Sequence, residues 1–120
     1  MRVNDIRILA GFFAANGMSK KSDEIRAALS KIDFVGAEKV RRKLVDEIKM
    51  LPCKAENVMD FIAVKGSNED ILEGLERYRG MDAALDAGID SLKAFIMNAP
   101  SAMIDLTLPC GGEDNITTAE

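Results

Sequence analysis

The residues best equipped for chemical contact in this chain are cations. "EKVRRKL", Glu38 to Leu44, brings Lys39, Arg41, Arg42 and Lys43 into one stretch; Lys49 follows it, and "SKK", Ser19 to Lys21, adds Lys20 and Lys21. With Val40 and Leu44 turned inward at 100° per residue, Lys39, Arg42 and Lys49 point outward, Lys43 lies on the flank and Arg41 borders the core. Such a row on an exposed helix can track the phosphates of a nucleic acid. The competing reading is a solvated face, because Glu38 and Asp46 stand four residues either side of Arg42, the spacing of ordinary ion pairs. The candidate RNA-binding set is therefore Lys39, Arg42, Lys43, Lys49, Lys20 and Lys21.

Other constellations carry less. Asp82, Asp86 and Asp90 recur every fourth residue, but a metal site needs ligands converging from several directions. They read as a helix flank, with Lys93 available to pair with Asp86 or Asp90. "CGGE", Cys110 to Glu113, lacks the spacing of a phosphate loop, and "NIT", Asn115 to Thr117, matters only on a secretory route. The chain has no histidine and two cysteines, Cys53 and Cys110. That removes histidine triads, histidine zinc sites and the commonest general base, and points to a reduced cytoplasmic setting. No catalytic residue and no metal site are assigned.

Charge is divided unevenly. Residues 1–50 hold 11 Lys and Arg against 7 Asp and Glu, a balance of +4, and the remainder carries −8 within a net −4. A basic face for a polyanion is one meaning; complementary surface helices are the other. No apolar run approaches the roughly 20 residues that span a bilayer.

The elements that must position these residues are mostly helices. Hydrophobic spacing gives six, over about 5–16, 22–35, 36–51, 54–64, 67–80 and 81–98. Asn4 or Asp5 caps the first, Ser22 the second and Ser67 the fifth, the last with Asp70 in a capping box. Val40, Leu44, Ile48 and Leu51 share one face of the third. Val3 at one end and the alternation of "AMIDLTL", Ala102 to Leu108, at the other read as strands that need a sheet the chain hardly supplies. The expected fold is mainly α, a compact bundle of about six helices with short β-strand stubs at the N- and C-termini.

These stubs carry a family resemblance. "VNDIRILAGFFAANG" resembles the V-N-D-R-R-I-L junction leading into the insertion domain of archaeal and eukaryotic histidyl-tRNA synthetases. "ALSKIDFVGAEKVRRKL", "FIAVKGSNEDILEGL" and "GIDSLKAFI" are similar to successive helices of that insertion, and "IDLTL" to the strand that returns to the catalytic sheet. The resemblance covers residues 3–108, with Ile6 in place of the family's first arginine. Beyond Leu108 the family's R-G-L-D-Y-Y-T-G is missing, and Cys110 stands where its arginine would be. Residues 109–120 are expected to be a flexible tail outside the pattern.

The resemblance implies a fragment without catalytic activity in isolation and without a cofactor of its own, ATP belonging to the intact enzyme. Its expected partners are the acceptor stem of histidine tRNA, held weakly through the backbone, and the missing catalytic domain. No membrane is expected. The alternative is a helical protein-interaction module that docks on another protein or forms a homodimer.

Overall fold

The two ends of the chain find their sheet in each other. In the computed structural model, which describes residues 1–64, 66–108 and 115–119, β1 (Arg2–Asp5) is the middle strand of three, in the order β2-β1-β3. Arg2 and Val3 pair in parallel with Met103 and Ile104 of β2 (Met103–Ile104). On the other side β1 runs antiparallel to β3 (Ile116–Ala119), from Arg2 opposite Ala119 to Asp5 opposite Ile116. The expectation of stubs without a sheet is corrected here, and residues 116–119, left to the tail by the sequence reading, form the third strand. The reason is that backbone amides and carbonyls must be satisfied. The Met103 amide donates to the Met1 carbonyl at 2.8 Å and the Asp105 amide to the Val3 carbonyl at 2.9 Å. Cys110, Gly111 and the rest of "CGGE" lie outside the described residues.

Asn4 and Asp5 turn the strand into a helix. Asn4 is buried, and its Nδ2 donates to the carbonyls of Leu106 at 3.2 Å and Leu108 at 3.1 Å, stitching β1 to the segment after β2. Asp5 caps α1 (Ile6–Ala15) by accepting from the Arg7 amide at 2.9 Å. The same carboxylate holds the Arg7 guanidinium through two contacts, 3.0 and 2.8 Å, which raises the Arg7 pKa. A buried carboxylate requires such a partner.

A 3₁₀ turn, Ser19–Lys21, follows α1 and runs straight into α2 (Ser22–Leu29). Ser22 therefore adopts helical angles, φ −57° and ψ −40°, and does not cap, because a capping residue needs extended backbone. The predicted second helix is broken after Leu29 and resumes as the short α3 (Ile32–Val35). Gly36, at φ 88°, separates it from α4 (Ala37–Asp46). Val40, Leu44 and Ile48 are buried as the spacing requires, whereas Leu51 is 61% exposed. The helix stops five residues before Leu51; Lys49 takes a left-handed φ of 67° and the Met50 amide returns to the Leu44 carbonyl at 3.0 Å. Met50 takes the buried place instead.

Helices α5 (Pro52–Ile62), α6 (Asn68–Glu76) and α7 (Ala83–Asn98) complete the seven α-helices found among the described residues. Pro52 starts α5, where its missing amide costs nothing. The Ser67–Asp70 capping box is present in full. At the centre Phe12 stacks on Phe61 with ring centroids 4.1 Å apart, and Tyr78 sets its edge against both at 5.8 and 4.8 Å. Helices α1 and α7 approach so closely that a Cβ on Gly11 would lie 2.5 Å from the Leu85 nitrogen, and one on Gly88 would lie 2.8 Å from Ile8 Cγ1.

The acidic row of α7 is occupied by structural work. Asp82 caps the helix through the Ala84 amide at 2.8 Å, Asp86 accepts from the Gly80 amide at 2.9 Å, and Asp90 binds Arg79 at 2.8 Å. Lys93 pairs with Glu76 of α6 rather than with Asp86 or Asp90.

Candidate nucleic-acid interface

The six sequence-predicted cations fall into two groups. Helix α4 packs beside α2 and α3, leaving an open groove bordered by Lys31, Lys39, Arg42 and Lys43, with Asp46 and Glu47 on its wall. Lys39 and Arg42 are exposed; Lys43 and Arg41 are partly covered, as the helical projection requires. Several of these charges are answered locally. Arg42 lies 3.3 Å from Glu38, Lys43 lies 3.9 Å from Glu47, and Arg41 contacts Glu38 at 2.5 Å and Glu56 at 3.7 Å. The hydrogen bond from Arg41, helped by Arg42, holds the Glu38 carboxyl below its ordinary range, so it stays anionic beside the row. Lys31 and Lys39 are the cations of this groove with no ion pair among the described residues.

The second group is built by a different route. The 3₁₀ turn carries Lys20 and Lys21, the stop of α4 carries Lys49, and the first turn of α5 carries Lys54. All four border one groove with Gly17, Met18, Ile25, Met50 and Leu51, and among the described residues no acidic one lines it. Lys21 Nζ donates to the Ile48 carbonyl at 2.6 Å, and Lys54 Nζ donates to the Asn16 carbonyl at the end of α1. Each ammonium keeps two further donors. Lys49 sits in a backbone region that costs a non-glycine residue about 1–2 kcal/mol.

Thus Lys39, Arg42 and Lys43 lie together on α4, while Lys49, read from the sequence as part of that helical row, joins the loop-borne Lys20 and Lys21 instead. Lys54 and Lys31 were missed. Nothing local marks Lys54, which stands 34 residues from Lys20 in sequence; only the docking of α5 against the end of α1 brings it in.

Among the described residues, no group of three or more His, Cys, Asp or Glu side chains could hold a metal ion. The enclosed pocket between β1, α1 and α2, bordered by Asn4, Asp5, Leu9, Arg26 and Thr107, measures about 20 Å³, room for one water but not for a nucleotide. Arg26 Nε is buried and has no hydrogen-bond partner among the described residues. Among the described residues no helix is long and apolar enough to cross a membrane.

Comparison with known proteins is consistent about one family. The histidine–tRNA ligase of Aeropyrum pernix is 29% identical over 108 residues, 90% of this chain and 25% of the ligase. The ligase of Phocaeicola vulgatus is 30% identical over 119 residues, and that of Clostridium tetani 25% over 118; each alignment takes in 92% of this chain and 26% of the ligase. The chain is related to one segment of histidine–tRNA ligase. It spans about a quarter of the length of these curated relatives. The crystal structure of histidyl-tRNA synthetase from Nostoc sp. PCC 7120 shares the fold with a TM-score of 0.80, at 22% identity, over 92% of this chain and 28% of that one. No family model matches. This chain is thus similar to one segment of these ligases along almost its whole length.

Proposed function

We propose that this chain is the helical insertion domain of a histidine–tRNA ligase, and that it touches the acceptor stem of histidine tRNA through its cationic grooves. The observation that carries the reading is the continuous match of more than nine-tenths of the chain to a quarter of the ligases. An unneutralised cationic surface on the helical body supports it. A-form RNA presents phosphates and 2′-hydroxyls rather than readable base edges, so lysine and arginine on a rigid scaffold suffice for such a contact. Histidine activation with ATP and transfer to tRNA belong, on this reading, to the other three-quarters of the ligase.

The sheet gives the segment a place to join that larger body. Arg2, Met103 and Ala119 stand side by side across its three strands, and Met103 is 63% exposed. This side of the sheet is where the remaining ligase would pack, and a cytoplasmic location follows from the same reading.

The test is fluorescence anisotropy of the 120-residue chain with labelled histidine tRNA at 50 and 200 mM salt. Salt-sensitive binding, weakened more than tenfold by combined Lys20→Glu, Lys21→Glu, Lys39→Glu and Arg42→Glu substitutions, supports the reading. Failure to bind any tRNA, with a stable dimer in light scattering, overturns it in favour of a protein-interaction module.

A further inference from the structure

We infer that the groove between the 3₁₀ turn, the end of α4 and the start of α5 is a seat for an RNA backbone phosphate, held by Lys20, Lys21, Lys49 and Lys54. The inference rests on the acceptor-stem reading and sharpens it, because it ranks the two basic patches and adds a residue to the candidate set.

Three observations carry it. First, the four ammonium-bearing side chains border one groove that no carboxylate among the described residues lines, whereas the α4 groove includes Asp46 and Glu47 and its Arg42 is tied to Glu38. A phosphate entering the α4 groove must displace or oppose those acids; one entering the lysine groove meets only cations. Second, two of the lysines are fixed in place. Lys21 Nζ bonds to the Ile48 carbonyl and Lys54 Nζ to the Asn16 carbonyl, so part of the cost of ordering a long side chain is met before an anion arrives. Helix C-terminal capping is an ordinary use of lysine and accounts for Lys54 and Lys21 alone. It does not account for Lys20 and Lys49, which have no side-chain hydrogen bond or ion pair among the described residues and still border the groove. Third, the left-handed position at 49 is one that glycine fills without strain, yet it carries a lysine aimed at this groove.

A phosphate oxygen in the seat accepts from the free donors of Lys21 and Lys54, with Lys20 and Lys49 supplying charge from the rim. Leu51, 61% exposed beside them, gives the adjoining ribose an apolar surface. No base is read.

The experiment titrates the chain with a hairpin RNA carrying the acceptor-stem duplex of histidine tRNA, comparing neutral variants. Lys49→Gly and Lys54→Gln should each weaken binding about threefold or more at 50 mM salt and take about 1 off the slope of log K against log salt. Lys39→Gln and Arg42→Gln should each weaken binding less than either lysine-groove variant does. Thermal unfolding of Lys49→Gly should match or exceed the wild type, since glycine relieves the backbone, so lost affinity there is not lost folding. If the α4 variants lose affinity and the lysine-groove variants do not, the phosphate seat is wrong and the acceptor-stem reading stands. If the wild-type chain has no affinity for the hairpin, both fall.

Discussion

Gly11→Ala should destabilise this domain even though alanine is the better helix former. In the middle of α1 the exchange gains about 1 kcal/mol of helix propensity. Against that, the new Cβ would sit 2.5 Å from the Leu85 nitrogen, 2.7 Å from Leu85 Cβ and 2.9 Å from Asp82 Oδ1. An ordinary contact begins at 3.4 Å, so α7 must retreat by about 0.9 Å along that line. Leu85 is backbone-anchored and fully buried, and cannot rotate away. Overpacking of this kind costs about 1–3 kcal/mol, and disturbing the Asp82 cap adds about 1 kcal/mol. The net expectation is a loss of about 1–3 kcal/mol. Urea unfolding followed by circular dichroism at 222 nm reads it as a lower midpoint at unchanged slope. Gly74→Ala is the internal control: its obstacle, Val64 Cγ1, is nearer still, but it is a side-chain methyl of a half-buried residue beyond the end of α5 that can yield where the Leu85 backbone cannot, so it should cost less. A Gly11→Ala variant as stable as the wild type, or more so, would refute the close-approach argument.

Other consequences follow from the polar contacts. Asn4→Ala leaves the Leu106 and Leu108 carbonyls and the Asp5 amide without the side chain that bonds them, and should cost about 1–3 kcal/mol in the same assay. It should also speed amide exchange at Asp105 and Ile6, whose amides bond to Val3 and Asn115 across the sheet. The Glu76 carboxyl is lowered to about 2 by its hydrogen bonds from Arg79 and Lys93. A depressed folded-state value means that its contribution is complete above the ordinary carboxylate range near 4.5 and disappears as pH falls toward 2. Carboxyl NMR should find Glu76 titrating near 2, well below the ordinary carboxylate value of 4.5, and Glu76→Gln should flatten the acid limb of the stability profile.

How much of this was legible beforehand depended on the distance over which each feature is decided. The outward and inward residues of α4, the Ser67–Asp70 box and the burial of Ala102, Ile104, Leu106 and Leu108 follow from local periodicity, and the structure has them. Ser22 and Leu51 were misplaced because a preceding 3₁₀ turn and a left-handed lysine changed the helical phase, and neither is written in hydrophobic spacing. The β1–β2 pair joins residues about a hundred apart, and the strand ends looked unpartnered only because that distance hides the partner. The same holds for the basic site. Six of its residues were readable as cations and the Arg42–Glu38 pair follows from i,i+4 spacing, but the separation of Lys49 from the α4 row and the arrival of Lys54 depend on where α4 stops and where α5 docks.

The central claim is that the helical body contacts RNA through its backbone charge. It is tested most directly by the salt dependence of binding between this chain and the acceptor-stem hairpin. Two to four phosphate contacts predict a slope of log K against log salt of about −2 to −4. A slope indistinguishable from zero, or no binding at the lowest salt, would contradict the account.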